Sequence, residues 1–433
     1  MIGRFGWKSL ALMLASALVL QACGGGGDGA GSQARIRLVN ATAQYGAVDF
    51  YNDDKKIQSQ VEATAGTDYL PFDASTYTFR VKQAGNNATA ATASLTLTEK
   101  KLYTLLAYNE GGVLKLTNFA DDKGAPTAGT AALRFFNAAT TSAGNVDIYL
   151  TARDADLASA SPTVSNVAPT YASSYVETAK GSYRLRVTGA GSKTDLRLDV
   201  PEIAFSDQQI ATFAVTGTAS SRLLNGLLMT QGGGVTAFKG THALLRVVAV
   251  AAGNPRVVVK TADLSVNKSV QAPAVESSYA FVPAALTGLG VTVNGTALDV
   301  SGISLQAGTE ATLAVFGAAA TPRAKLFTDN NAVSEVTGRA RLRLVHLVNG
   351  LETNLALSAG YQSIADSVEF GTTSLPGDVT AGTPVRIEVT TPSLPAPLFK
   401  TDEPGATLTA QRVYSLILFG DGRAVTARLV QDR

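Results

Sequence analysis

Three short blocks recur four times along the chain in the same order, and a tandem repeat of this kind decides the architecture before any single residue does. The first block reads Ala34-Arg35-Ile36-Arg37-Leu38-Val39-Asn40, Ala132-Leu133-Arg134-Phe135-Phe136-Asn137, Leu244-Leu245-Arg246-Val247-Val248 and Ala340-Arg341-Leu342-Arg343-Leu344-Val345-His346. The second is an alternating run: Tyr77-Thr78-Phe79-Arg80-Val81 and its counterparts beginning at Tyr183, Leu289 and Val385. The third begins at Tyr103, Ala211, Ala311 and Tyr414, and carries a hydroxyl at Thr104, Thr212, Thr312 and Ser415. Every block has period two over strand length. Repeat 1 reads as strands near 35–40, 47–52, 55–61, 67–72, 75–82, 91–98, 102–108 and 113–119, separated by turn residues such as Asp53-Asp54 and Gly85-Asn86-Asn87. Eight short strands in a unit of about 90 residues is the size of a β-sandwich. The expected fold is therefore all-β: four tandem antiparallel, Ig-like β-sandwich modules over 34–122, 131–231, 242–329 and 339–433. In the 75–82 strand Tyr77, Phe79 and Val81 should face the core and Thr78 and Arg80 water, as in a sheet covered on one side. A membrane barrel needs longer strands with an apolar outer band.

Boundaries are expected near 123–131, 232–241 and 330–338, the first at Asp121-Asp122-Lys123-Gly124-Ala125-Pro126 and the second at Gly232-Gly233-Gly234. Strands reject such compositions, so separate cores in an elongated chain are predicted. Six of the fifteen prolines fall between Pro376 and Pro404. Proline fixes φ and lacks an N–H, so residues 371–404 should form stiff extended loops, suited to partner contact or to guarding a sheet edge.

Residues 1–22 read as a signal peptide, with Arg4 and Lys8 ahead of an apolar stretch, Leu10 to Leu20, too short to span a bilayer. The stretch ends Leu20-Gln21-Ala22-Cys23, which resembles the lipobox of bacterial lipoproteins and implies lipidation of Cys23, the only cysteine. Gly24 after the cysteine favours the outer membrane within that resemblance. Residues 23–33 then form a lipidated, glycine-rich tether. Gly24, Gly26 and Gly29 match a dinucleotide fingerprint but lack the strand before and the helix after it.

The repeat motif Ala-x-x-Arg-x-x-Asn, followed by Val48-Asp49-Phe50-Tyr51 or Val146-Asp147-Ile148-Tyr149 and by Tyr103-Thr104-Leu105-Leu106-Ala107, resembles the family called domain of unknown function 4397. The resemblance implies a bacterial secreted or envelope protein with tandem domains, and no established activity. Repeats 3 and 4 diverge from it, with Val257-Val258-Val259-Lys260 and Asn354-Leu355-Ala356-Leu357 where the Val-Asp-x-Tyr should stand.

Few constellations offer chemistry. Asp49 and Asp147 invite a ligand or metal reading, against which stands an outward carboxylate bonded to a nearby loop. The recurring hydroxyls have no base placed in common beside them. His242 and His346, the only histidines, fall at different repeat positions. The acidic groups Asp53-Asp54, Asp121-Asp122 and Asp329-Asn330-Asn331 read as turn residues and lack EF-hand spacing. Arg35, Arg37, Arg341 and Arg343 alternate with apolar residues and are expected on a solvated strand face. No nucleophile elbow or P-loop occurs. Without Arg4 and Lys8 the chain has as many basic as acidic residues, 34 of each, so nothing favours nucleic acid.

These readings converge on a non-catalytic, lipid-anchored envelope protein acting as a spacer, scaffold or interaction module, with no cofactor or metal. The rival is an envelope ligand-binding protein for a polysaccharide or partner protein. The third possibility, a hydrolase, would need a site assembled between modules.

Overall fold

The computed structural model describes residues 33–433 except 43–44, 111–112, 140–142, 221, 263–265, 352 and 423. Cys23, the signal peptide and residues 23–32 of the tether lie outside the described residues. The regular structure is almost wholly strand, and no described helix is long and apolar enough to cross a membrane.

Module 1 comprises β1 (Ala34–Asn40), β2 (Ala47–Asn52), β3 (Lys55–Glu62), β4 (Leu70–Phe72), β5 (Thr76–Gln83), β6 (Thr89–Thr96), β7 (Leu102–Glu110) and β8 (Val113–Ala120). One sheet has the order β4-β1-β7-β8 and the other β3-β2-β5-β6. The sheets enclose Ile36, Leu38, Val48, Phe50, Phe79, Val81 and Leu105. Along β5 the alternation holds, with Phe79 and Val81 fully buried and Tyr77 packed at the margin. The other three modules repeat this two-sheet plan, with strands from Thr130 to Phe238, His242 to Asp329 and Arg339 to Gln431.

The pairing is antiparallel apart from one conserved-in-place exception per module. β1 runs parallel to β7, with Arg37 opposite Thr104; the same parallel pair sets Arg134 opposite Thr212, Arg246 opposite Thr312 and Arg343 opposite Ser415. Both strands descend through the module in the same direction because the whole second sheet serves as the crossover between them.

The expectation of separate cores is corrected. Besides one core per module, two apolar clusters cross the boundaries. Val39, Leu106, Tyr108 and Phe119 of module 1 pack on Phe136, Ala214, Leu227 and Met229 of module 2. Val248, Ala314, Phe316 and Phe327 of module 3 pack on Val345, Leu347, Ile417 and Phe419 of module 4. The sheet holding β1 is thus buried on both faces, and its apolar outer side chains contribute about 1.5–3 kcal/mol each when fully covered. Gly66 of module 1 sits against Val235 of module 2, where an added Cβ would lie 2.8 Å from the valine methyl.

Gly232-Gly233-Gly234 is not an inter-module linker. It turns a hairpin inside module 2, between Leu224–Thr230 and an extra edge strand, Val235–Phe238. The proline-rich stretch 371–404 is broken into short strands, including Gly377–Thr380 on the edge of one sheet and Phe399–Lys400 on the edge of the other.

Candidate functional site: buried arginines between paired modules

The first-block arginines correct the solvated-face reading. Arg37, Arg246 and Arg343 are each 1% exposed and are the largest fully buried side chains described. Arg35 does face solvent, and Arg341 is half-buried, donating to the carbonyls of Ala332 and Pro376. Arg35 and Arg37 share the outer face of the β1 sheet, and the neighbouring module covers that face at Arg37, where Gly233 and Thr230 accept its bonds, but leaves Arg35 exposed.

Each buried arginine is held first by the hydroxyl opposite it. Nε of Arg37 donates to Thr104 at 2.8 Å, of Arg134 to Thr212 at 3.0 Å, of Arg246 to Thr312 at 2.7 Å and of Arg343 to Ser415 at 2.7 Å. The hydroxyl in turn donates a hydrogen bond to a carboxylate in three modules: Thr104 to Asp121, Thr312 to Asp329 at 2.5 Å and Ser415 to Asp432 at 2.6 Å. Asp121 and Asp432 occupy the position whose N–H bonds Leu102 and Val413; in module 2 the equivalent N–H, bonding Ile210, belongs to Gln231. Module 2 therefore has no carboxylate at this position.

The guanidinium ends reach across the module boundary. In the 3–4 pair Arg246 bonds Asp432, while Arg343 lies 2.8 Å from Asp432, 3.1 Å from Asp329 and 3.1 Å from the Asn331 carbonyl oxygen. Two arginines thus meet two carboxylates. In the 1–2 pair a single carboxylate, Asp121, lies 4.0 Å from Arg37 and 3.9 Å from Arg134. Backbone acceptors make up the difference, since Arg37 donates to Gly233 O at 2.5 Å and Thr230 O at 3.0 Å in the triglycine hairpin. Aromatic faces complete both sites: Tyr69 lies 4.6 Å from Arg37, Tyr279 4.8 Å from Arg246, and Phe119 and Tyr175 flank Arg134 at 4.6 and 4.8 Å.

The electrostatics follow the acceptor count. Burial pulls the Arg37 pKa down, and Tyr69 and Asp121 only partly oppose it. Burial also pulls on Arg246, but Tyr279, Asp432 and Asp329 outweigh it, and Arg343 is likewise raised by Asp329 and Asp432. Tyr69, which donates to Asp121 at 2.8 Å, is pushed up to about 12 by desolvation and by that carboxylate. Tyr279, donating to Asp329 at 2.8 Å, is raised well above the ordinary tyrosine value for the same reasons. Both phenols stay neutral donors.

Asp49 and Asp147 are buried rather than outward, at 3% and 5% exposure, and each fastens a bulged strand. Asp49 accepts from the Gln60 N–H at 3.0 Å and from Lys56 at 2.6 Å; Asp147 accepts from the N–H groups of Asn166 at 2.7 Å and Gly191 at 2.8 Å. Gln60 and Asn166 have φ of 53° and 58°, and the register slips between Val48 and Phe50 and between Val146 and Ile148. The Val-Asp-x-Tyr motif is thus a bulge clamp. Module 3, which lacks the aspartate, keeps an unshifted register along Arg256–Lys260, whereas module 4 is bulged between Leu355 and Leu357 without it.

The remaining candidates separate. His242 stacks on Phe281 at 4.2 Å; His346 is fully buried in module 4, with Nδ1 accepting from the Val348 N–H at 3.3 Å. Asp53-Asp54 is an exposed turn, with Asp54 bonded to Arg80. Asp121, Asp329 and Asn331, read from sequence as turn residues, belong to the buried networks instead. Among the described residues no group of three or more His, Cys, Asp or Glu side chains is placed to hold a metal ion. The missed signal was present in the sequence: an arginine and a hydroxyl recur at fixed places in all four copies, inside strands otherwise apolar.

No curated protein matches the chain. Among solved structures, a family 26 carbohydrate-binding module, CBMbc, from Eubacterium rectale Amy13K in complex with maltoheptaose is 13% identical, covering 48% of this chain and 96% of that one at a TM-score of 0.16. The Bacillus anthracis TIE protein is 11% identical, covering 64% of this chain and 47% of that one at a TM-score of 0.15. Residues 34–149, which span module 1 and the opening strands of module 2, match the family model described as Domain of unknown function (DUF4397).

Proposed function

We propose that the protein is a non-catalytic lipoprotein of the cell envelope, anchored in the outer membrane through lipidated Cys23, and that its paired modules form a stiff scaffold for envelope partners. The observation that carries this reading is the burial of the arginine networks between modules. The polar groups that recur in every copy are spent on one another: Arg246 and Arg343 on Asp432, and Arg37 on Thr104, Gly233 and Thr230. A binding cleft or active site needs such groups free and convergent on open space. Buried and mutually bonded, they fix the angle between modules, which is what a spacer or scaffold requires.

The anchor decides location, because two acyl chains hold a protein stably whereas one chain binds only marginally. Metabolic labelling with palmitate should mark the wild-type protein and not Cys23→Ser, and the variant should move from the membrane fraction to the soluble one. An unlabelled wild-type protein, or a Cys23→Ser variant still held in the membrane at unchanged mass, would refute the anchor.

A further inference from the structure

In each module the sheet that carries the arginine ends in an edge strand, and the four edges are treated differently. In module 2 the edge strand Leu224–Thr230 is covered by Val235–Phe238, paired antiparallel with Gly226 opposite Phe238 and Met229 opposite Val235. In module 3 the strand Thr321–Asp329 bears Pro322, Arg323 and Lys325, residues that oppose further strand pairing. In module 1 β8 has, like the module 4 edge, no proline or glycine and a single charge, Lys115, but it packs along β6 of the facing sheet. Module 4 ends in Ala424–Gln431, Ala-Val-Thr-Ala-Arg-Leu-Val-Gln, which has no proline or glycine and one charge, Arg428. It is the last strand of its sheet, paired on one side only.

The register states which groups are left over. Ser415 pairs with Val430, Ile417 with Arg428 and Phe419 with Thr426, and the Asp432 N–H bonds Val413 O at 2.8 Å, which sets the phase of the ladder. Thr426, Arg428 and Val430 therefore turn their main-chain groups inward, and Val425, Ala427 and Leu429 turn theirs outward. Leu429 is also 38% exposed, a large apolar side chain at an uncovered edge. By position, Ala427 matches Gly226, so this is the very edge that accepts an antiparallel strand in module 2.

We propose that the outer edge of Ala424–Gln431 docks the same strand of a second copy of this chain, antiparallel about a twofold axis through Ala427. That axis joins outward groups to outward groups: Ala427 exchanges both bonds with Ala427 of the second copy, and Val425 pairs with its Leu429. Arg428 then falls opposite Thr426. Moving the axis one residue, to Arg428, would set two guanidinium groups opposite each other, so charge selects the register. A twofold contact closes on itself and gives a dimer rather than a filament.

The test is sedimentation velocity on the chain carrying Cys23→Ser, which removes the lipid and the sole thiol. The species should shift from monomer to dimer between about 1 and about 100 µM, the range suited to a small interface. Ala427→Pro removes an outward N–H and no bond to Val413–Asp421, so it should remain monomeric throughout with its melting temperature little changed. Leu429→Lys, which leaves the backbone untouched, should also abolish dimerisation, so the conclusion does not depend on the proline variant folding. A monomer at the highest concentration, an open-ended series of larger species, or dimerisation unaffected by Leu429→Lys would overturn the proposal.

Discussion

A guanidinium removed from water costs several kcal/mol unless its donors are matched and its charge is answered nearby. Arg343 meets both conditions through Ser415, Asn331 and two carboxylates, and Asp432 is the one carboxylate within 3 Å of both Arg246 and Arg343. Asp432→Asn keeps the shape and removes the charge from two arginines at once. The expected loss is about 3–5 kcal/mol of stability, read as a lower urea midpoint, because the buried charges lose their compensation. Asp122→Asn is the matched control: Asp122 forms a half-exposed pair with Lys101 at 3.1 Å, and its removal should cost no more than about 1 kcal/mol. Equal effects would mean that the buried network is no more coupled to folding than a surface pair.

At the scale of strands, the period-two pattern reads well where one face is apolar and the other is wet. All eight strands of module 1 stand near their expected places, although the 67–72 strand shortens to Leu70–Phe72 and the 91–98 strand lies at Thr89–Thr96. What alternation cannot report is a bulge, since a one-residue slip depends on which main-chain N–H finds an acceptor. Asp147 supplies that acceptor for Asn166 and Gly191. Asp147→Ala should therefore remove the acceptor of both N–H groups at a cost of about 1 kcal/mol each, since Asn166 and Gly191 are exposed and water can take its place. Amide exchange should speed first at Asn166 and Gly191, with the β1-equivalent strand Thr130–Ala138 still protected. Uniform loss of protection across module 2 would assign Asp147 to global folding instead of to the bulge.

The arrangement of whole modules was the least legible level, and the reason lies in the arginines. A strand written Arg-Ile-Arg-Leu-Val reads as one wet and one dry face, so the second buried face is disguised by the residue that organises it. Only the pairing of each arginine with a hydroxyl on the parallel strand, and with acceptors from the next module, reveals that the wet face is an interface. The chain is therefore not four beads. Module 4 supplies Asp432 and Ser415 to Arg246, and Ile417, Phe419 and Leu347 to the apolar cluster around Phe316 and Phe327. Module 3 also binds module 2, with Glu310 accepting from Ser220 at 2.5 Å and the Gly308 carbonyl from Thr218 at 2.9 Å. Ending the chain at residue 338 uncovers Arg246, leaves it Asp329 as its nearby carboxylate and strips the module 4 cover from one face of the Glu310–Ala318 strand. Hydrogen exchange on that truncated protein should show Glu310–Ala318 and His242–Ala249 losing most of their protection while β1 and β7, covered by module 2, keep theirs. Independent modules would instead leave the exchange of module 3 unchanged, and that outcome would return the molecule to a string of separate sandwiches.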